Sequence, residues 1–315
     1  MDKKYVCIIG VLDKYGSTQI PLAVSFMRHG YHVVPINYRT VIVTKGMEFF
    51  ENLVLYTMQT YHPILTIFCK CNGVNPDLVA KCRKFSITYL HNPDPQPTIE
   101  RCPEVIEHAK NAHFSSCTAK DMVEWFESKG VKNCYHIIQG VDPYIFKPVE
   151  PNNEYKADIS FIGTKTPERD KYKKALEDEG LNVKFYGQGY GKEVVEEDFA
   201  KVCASSKFML SINTYNNLHL EYFSNRLARY LACGVCTLHL DETGSLNKYF
   251  EDYKDIIYFS DELSLMNALL FTKEEDIGKI AISGREKVLQ GFTWDHKVRD
   301  ILRIANKVAK DTVSV

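Results

Sequence analysis

The stretch ADISFIGTKTPERDKYKKAL, residues 157–176, decides the fold. DISFIG reads as a buried strand, GTKT as a turn, and 167–179 as a helix. The same unit recurs downstream. FYGQGY (185–190) closes the strand VKFYG, and FMLSINTY (208–215) carries the strand FMLSI after a helix over 197–205. EYFSNRLARYLACGV (221–235) holds a helix over 224–233 ahead of the strand VCTLHL. SGREKVLQGFTWDHKVRDIL (283–302) leads into a long helix over 294–310. Each unit puts a loop at the C-terminal end of a parallel strand, the edge where open α/β sheets bind ligands.

The first half alternates in the same way. YVCIIGVL, HVVPINY, ILTIFCK, FSITYL ending at His91, HFSSC and NCYHIIQ read as strands. Helices are expected at PLAVSFMRHG, 47–60, PDLVAKCRK with Pro76 in its first turn, and KDMVEWFESKG. Alternation of this kind predicts doubly wound parallel sheets. Pro143, Pro148, Pro151 and Asn152–Asn153 crowd one segment, so a domain boundary is expected there. The expected division is 1–150, 151–293, and a last helix in 294–315. No tandem repeat or low-complexity segment interrupts it.

A chain of 315 residues suffices for two domains. With 45% hydrophobic and 25% charged residues it has the composition of a soluble globular protein. No apolar run approaches the roughly 20 residues of a membrane span. The N-terminal apolar run reads as a buried strand and not a leader, because glycine and charge follow at once. The ten cysteines are scattered, as in a reducing compartment, and a cytoplasmic location is expected. Cys233 and Cys236 form a C-x-x-C with no second pair at zinc spacing, so buried thiols are expected there. The net charge of −1 carries no global footprint for nucleic acid. Residues 1–150 hold 16 Lys and Arg against 14 Asp and Glu, which leaves room for a mildly anionic acceptor on that half.

In order and spacing these segments resemble GT-B glycosyltransferases, in particular the spore-maturation glycosyltransferase-like proteins and the large retaining family four. GSTQIPLAVSFMRHGYHVV looks like the family's opening loop and helix, and GVKNCYHIIQGVDPYIFKPV like its domain-closing segment. The resemblance implies an α/β GT-B architecture. Two Rossmann-like domains would face a cleft, with the last helix crossing back to brace the first. It implies acceptor binding by the first domain and nucleotide-sugar binding by the second.

Site residues follow position by position. Gly10, Gly16 and Ser17 lie in the loop after the first strand, where backbone N–H groups meet a ligand or simply turn the chain. His91 resembles the strand-end histidine that contacts donor sugar or acceptor, and Asp94 an acidic residue of the spore-maturation-like group. The competing readings are a packed histidine and a turn aspartate. Gly163, Thr164, Lys165 and Arg169 would border the diphosphate, unless Arg169 lies on a plain helix surface. Gly187 and Gly189 would shape the base pocket. Asn213 and Tyr215 would border the sugar diphosphate, although a strand-end Asn also forms turns.

Glu221 aligns with the first of the family's two glutamates, which faces the donor sugar. The second position holds Arg229, a departure, because that glutamate binds the ribose. An arginine offers only donors and cannot accept from ribose hydroxyls. Asn225 and Arg226 begin the intervening helix, and Arg226 would face the phosphates. The resemblance implies transfer from a UDP-sugar with retention and without a metal, the leaving group being stabilised by cations and helix N-termini. The acceptor stays open among glycan, glycoprotein, small molecule and a hydroxymethylated base of phage DNA, the last not indicated by net charge. A catalytically inactive nucleotide- or glycan-binding protein is the alternative. The missing G-x-G-x-x-G argues against a nicotinamide enzyme.

Overall fold

The computed structural model describes residues 4–14, 16–213 and 219–313, except the side chains of 312 and 313. The chain forms two compact units, Met1–Gln139 with Trp294–Val315, and Gly140–Thr293. The first change of unit thus falls at Gln139/Gly140, ahead of the expected 150/151. The proline-rich turns belong to the second unit: Val141 N–H donates to the carbonyl of Phe292, and Val141 bridges to Thr293.

The first unit is a six-stranded parallel sheet in the order β2-β1-β3-β4-β5-β6. Its strands are β1 (Tyr5–Gly10), β2 (His32–Asn37), β3 (Leu65–Cys69), β4 (Ile87–His91), β5 (Phe114–Cys117) and β6 (Cys134–His136). Helices α1 (Gln19–Arg28), α2 (Tyr38–Lys45), α3 (Met47–Tyr61), α4 (Pro76–Cys82), α5 (Gln96–Ile99), α6 (Glu104–Asn111) and α7 (Asp121–Ser128) connect them. The strand order reverses between β1 and β3, so ligand access is expected above Gly10 and Cys69.

The second unit is a five-stranded parallel sheet in the order β11-β10-β9-β7-β8. Its elements are β7 (Ala157–Ile162), α8 (Pro167–Asp178), β8 (Val183–Tyr186), α9 (Glu196–Ala204), β9 (Ser206–Ser211), α10 (Asn225–Ala232), β10 (Thr237–Leu240), β11 (Ile257–Phe259), α11 (Glu262–Phe271) and α12 (Glu274–Gly291). Here the order reverses between β7 and β9. Its core is the buried sheet face with α8, α11 and α12: Ile159, Phe161, Leu176, Leu210, Leu238, Ile257 and Leu265.

The last helix, α13 (Trp294–Val313), belongs to the first unit. Trp294, Val298, Ile301, Ile304, Ala305 and Val308 repeat at helical spacing and enter the core around Val6, Ile8, Leu22 and Phe26. Burying each large apolar side chain is worth roughly 1.5–3 kcal/mol. Asp295 fastens the start of the helix by accepting from Ser25 Oγ at 2.6 Å and Arg28 Nε at 3.0 Å. Among the described residues no helix is long and apolar enough to cross a membrane. All ten cysteines are free thiols, nine of them buried, including Cys233 and Cys236.

Candidate functional site

The end of β7 and the end of β9 form the reversal point of the second sheet. Three glycines shape it. A Cβ on Gly187 would lie 2.6 Å from the carbonyl oxygen of Gly163, and one on Gly189 would lie 2.7 Å from Lys165 Cβ. Both have positive φ, +111° and +86°, a backbone region that L side chains rarely adopt. A Cβ on Gly163 itself would meet Arg226 Nη1 at 2.5 Å. The loop after β8 therefore packs directly on the loop after β7. Gly163 N–H donates to Tyr186 O at 2.8 Å, and Lys165 N–H to Gln188 O at 2.8 Å.

Thr166 caps α8 by accepting from Arg169 N–H at 3.3 Å, and Pro167 occupies the first turn. Arg169 is not on a helix surface; it is 5% exposed. It donates to Thr164 O at 2.5 Å and Ile212 O at 3.0 Å. Arg226 donates to Ile162 O at 3.3 Å and to the same Ile212 O at 2.6 Å. The two guanidiniums lie 5.0 and 4.7 Å from the ring centroid of Phe161. Burial, and then the charge of Arg226, pulls the Arg169 pKa down to about 10. Two cations thus share one carbonyl across the reversal point, an arrangement that favours an anion beside it.

The N-terminus of α10 opens onto the same place. Asn213 Oδ1 accepts from Ser224 N–H at 3.2 Å. Asn213 Nδ2, Ser224 Oγ and Arg226 Nε are buried, and none has a hydrogen-bond partner. Asn225 is the first residue of α10. Arg229, one turn further, is partly buried with its guanidinium 4.6 Å from the Phe146 ring centroid, and burial lowers its pKa to about 10. Lys165 is half-exposed, 3.5 Å from Asp170 Oδ2 and 5.8 Å from the Tyr190 ring. Tyr215 lies outside the described residues.

Glu221 is 6% exposed with φ at +54°, a left-handed conformation that is strained for glutamate. Its N–H donates to Ser245 Oγ at 2.8 Å. Its Oε2 accepts from Tyr249 OH at 2.6 Å and lies 2.5 Å from Lys248 Nζ. Burial, and then the Glu221 carboxylate, pushes the Tyr249 phenol well above its usual pKa, so it stays a donor. Sequence reasoning missed Lys248, Tyr249 and Phe146.

In the first unit His91 ends β4 and is 1% exposed. Its Nδ1 lies 3.0 Å from Tyr89 OH and 3.3 Å from Ser116 Oγ, while Nε2 has no partner. Burial pulls its pKa down to about 4, and Lys70 adds to the shift. Asp94 pairs with Lys70 at 2.6 Å. Lys70 and Cys71 both have positive φ, +61° and +60°, directly after β3. Lys70 was also missed; the positive φ that marks it is invisible in sequence. Gly10 packs tightly: a Cβ there would meet Gln19 Cγ at 3.0 Å and Cys69 Cβ at 3.2 Å. Gly16 turns the loop with φ +76°. The Ser17 hydroxyl faces inward, donating to Val11 O at 2.6 Å and accepting from Gln19 N–H at 3.3 Å.

Residues 167–303 match a family model described as glycosyl transferase-like. No curated protein matches the sequence. Among solved structures, sucrose-phosphate synthase from Thermosynechococcus elongatus superposes with a TM-score of 0.68 at 13% identity, over 98% of this chain and 100% of that one. A glycosyltransferase from Rickettsia africae gives 0.64 at 11% identity, over 98% and 100%. HepE from Anabaena, solved in complex with UDP-glucose, gives 0.59 at 13% identity, over 99% and 100%. The fold is that of the GT-B glycosyltransferases, with two Rossmann-like domains.

Proposed function

We propose that this chain is a glycosyltransferase that moves a sugar from a UDP-linked donor to a hydroxyl acceptor, with retention and without a required metal. The observation that carries the reading is the set of buried, unpartnered groups at the reversal point of the second sheet: Asn213 Nδ2, Ser224 Oγ and Arg226 Nε. Two of the three can only donate, and the third donates freely. They stand at the N-terminus of α10, and Arg169 donates to the same Ile212 carbonyl as Arg226. A diphosphate supplies acceptor oxygens and negative charge in the same place. The same cations would stabilise the leaving diphosphate, the role a metal fills elsewhere. HepE holding UDP-glucose on this fold is the reason for choosing uridine.

Thermal unfolding with and without UDP tests the reading. At 100 times Kd, binding stabilises the folded state by about 2.7 kcal/mol. The shift should persist in EDTA; its loss on chelation would remove the metal-independent part. Arg226→Ala should weaken UDP binding by roughly 1.5–3 kcal/mol, the scale for hydrogen bonds to charged groups. An unchanged Kd by calorimetry, with the fold intact, would take Arg226 out of the site.

The inactive alternative has an observation behind it. The Glu221 carboxylate is already engaged by Lys248 and Tyr249, and Arg229 stands where the resembled family has glutamate. Release of UDP from UDP-glucose separates the two readings, since a binding protein releases none.

A further inference from the structure

We infer that Tyr89 and Ser116 are positioning residues that fix His91 with its proton on Nε2, so that His91 meets its ligand as a hydrogen-bond donor and not as a base.

Three polar groups form a closed, buried set. Tyr89 OH lies 2.6 Å from Ser116 Oγ and 3.0 Å from His91 Nδ1, and Ser116 Oγ lies 3.3 Å from the same nitrogen. Tyr89 and Ser116 are fully buried and His91 is 1% exposed. Their positions follow from the fold. Tyr89 and His91 project from the same face of β4, two residues apart. Ser116 stands on the neighbouring strand, in register with His91. Tyr89 stacks on Phe114 at 4.5 Å, and the His91 ring meets Trp294 edge-on at 6.0 Å, so neither ring is free to swing.

The protons can be placed by counting. The two hydroxyls carry two protons, and the set offers three acceptors: two oxygens and Nδ1. Two hydroxyls cannot both donate to each other. If Nδ1 is bare, one hydroxyl donates to the other and that one donates to Nδ1, so both protons are used. Ser116 to Tyr89 to His91 and Tyr89 to Ser116 to His91 both work. If Nδ1 carries the proton, it uses one oxygen, and one hydroxyl proton is left buried without an acceptor. A buried donor without a partner is costly, so the set selects bare Nδ1. The neutral ring, which burial favours, then carries its proton on Nε2. That N–H is the group without a partner. It needs an acceptor oxygen, as a sugar hydroxyl or phosphate provides.

Long-range proton–nitrogen NMR on histidine-labelled protein at neutral pH reads the tautomer directly. The expected signature for His91 is a protonated Nε2 and a bare Nδ1; the opposite pattern overturns the inference. Tyr89→Phe and Ser116→Ala each leave one hydroxyl within reach of Nδ1 and should keep the signature. The double variant removes both and should show mixed tautomers. If it keeps a single wild-type signature, the two hydroxyls are not the cause. A double variant that fails to fold leaves the wild-type spectrum to decide.

A second arm rests on the glycosyl-transfer reading. Glutamine can present an N–H near the position of Nε2 but cannot act as a base. His91→Gln should release UDP from UDP-glucose within about 10-fold of the wild type, and His91→Ala should be about 100-fold slower, the scale for losing one aligned donor. A glutamine variant as slow as alanine overturns the donor role. A wild type that neither binds UDP nor releases it sinks the transferase reading instead, and the NMR arm still decides the tautomer.

Discussion

Glu221→Gln is expected to slow UDP release from UDP-glucose by about 100-fold or more, the scale for losing an electrostatic partner of the transition state. UDP affinity should be nearly unchanged. Glutamine keeps the shape and can still accept from Tyr249, so the change isolates the charge. The backbone supports a functional reading. A non-glycine residue at φ +54° is under strain, and strained residues cluster at sites of function. Glycine at this position would relieve the strain but would leave no carboxylate. The buried oxygen is held in place by Tyr249 and Lys248. Losing the Lys248 contact should cost little stability, because that lysine is half-exposed. A Gln variant with wild-type turnover would remove Glu221 from the reaction. A variant that lost UDP binding and turnover together would show that Glu221 supports the nucleotide pocket instead.

The parallel sheets were legible because each strand is an apolar run ending in turn residues. The sequence places Tyr38 at the end of the strand HVVPINY and signals no element over 39–45, where α2 lies. Its run Val41-Ile42-Val43 is β-branched, and only Tyr38 in the helix is buried, so no helical period shows. Nothing is assigned between His91 and His113 either, where α5 and α6 follow a proline-rich stretch whose composition reads as loop. Within the second unit, Gly163, Gly187 and Asn213 were legible from their place at strand ends. Their reasons were not: the glycines are required by one backbone approaching another. Lys248 and Tyr249 reach Glu221 across 27 and 28 residues of sequence, through a loop with no motif of its own. Arg169 sits in a run of charges, RDKYKK, that looks like a solvated face. Its burial follows from the carbonyls of Thr164 and Ile212, which only the assembled sheet brings together.

Three buried histidines should make the protein sensitive to mild acid. His91 and His113 in the first unit and His239 in the second all have pKa values pulled down from 6.5 to about 4, in each case chiefly by burial. In each, Nδ1 is engaged by a neutral partner. His113 Nδ1 accepts from Thr88 N–H at 3.0 Å, and His239 Nδ1 lies 2.9 Å from Ser211 Oγ. The unfolded chain therefore takes up protons near pH 6.5, which the folded chain refuses until about pH 4. Stability is full above 6.5 and falls as the pH drops through that window. Each histidine contributes a slope approaching about 1.4 kcal/mol per pH unit, so the three together approach roughly 4 kcal/mol per unit. The carboxylates with lowered pKa, such as Asp261 and Asp295, act below their unfolded value of 3.8. The loss between pH 6.5 and 5 is thus a histidine effect. Urea unfolding at pH 7.5, 6.5, 5.8 and 5.0 measures it. His239→Gln should flatten the dependence of the second unit and leave that of the first, which holds the other two. A stability constant from pH 7.5 to 5.0 would mean that the folded chain accepts these protons, and that the strand ends are open to water.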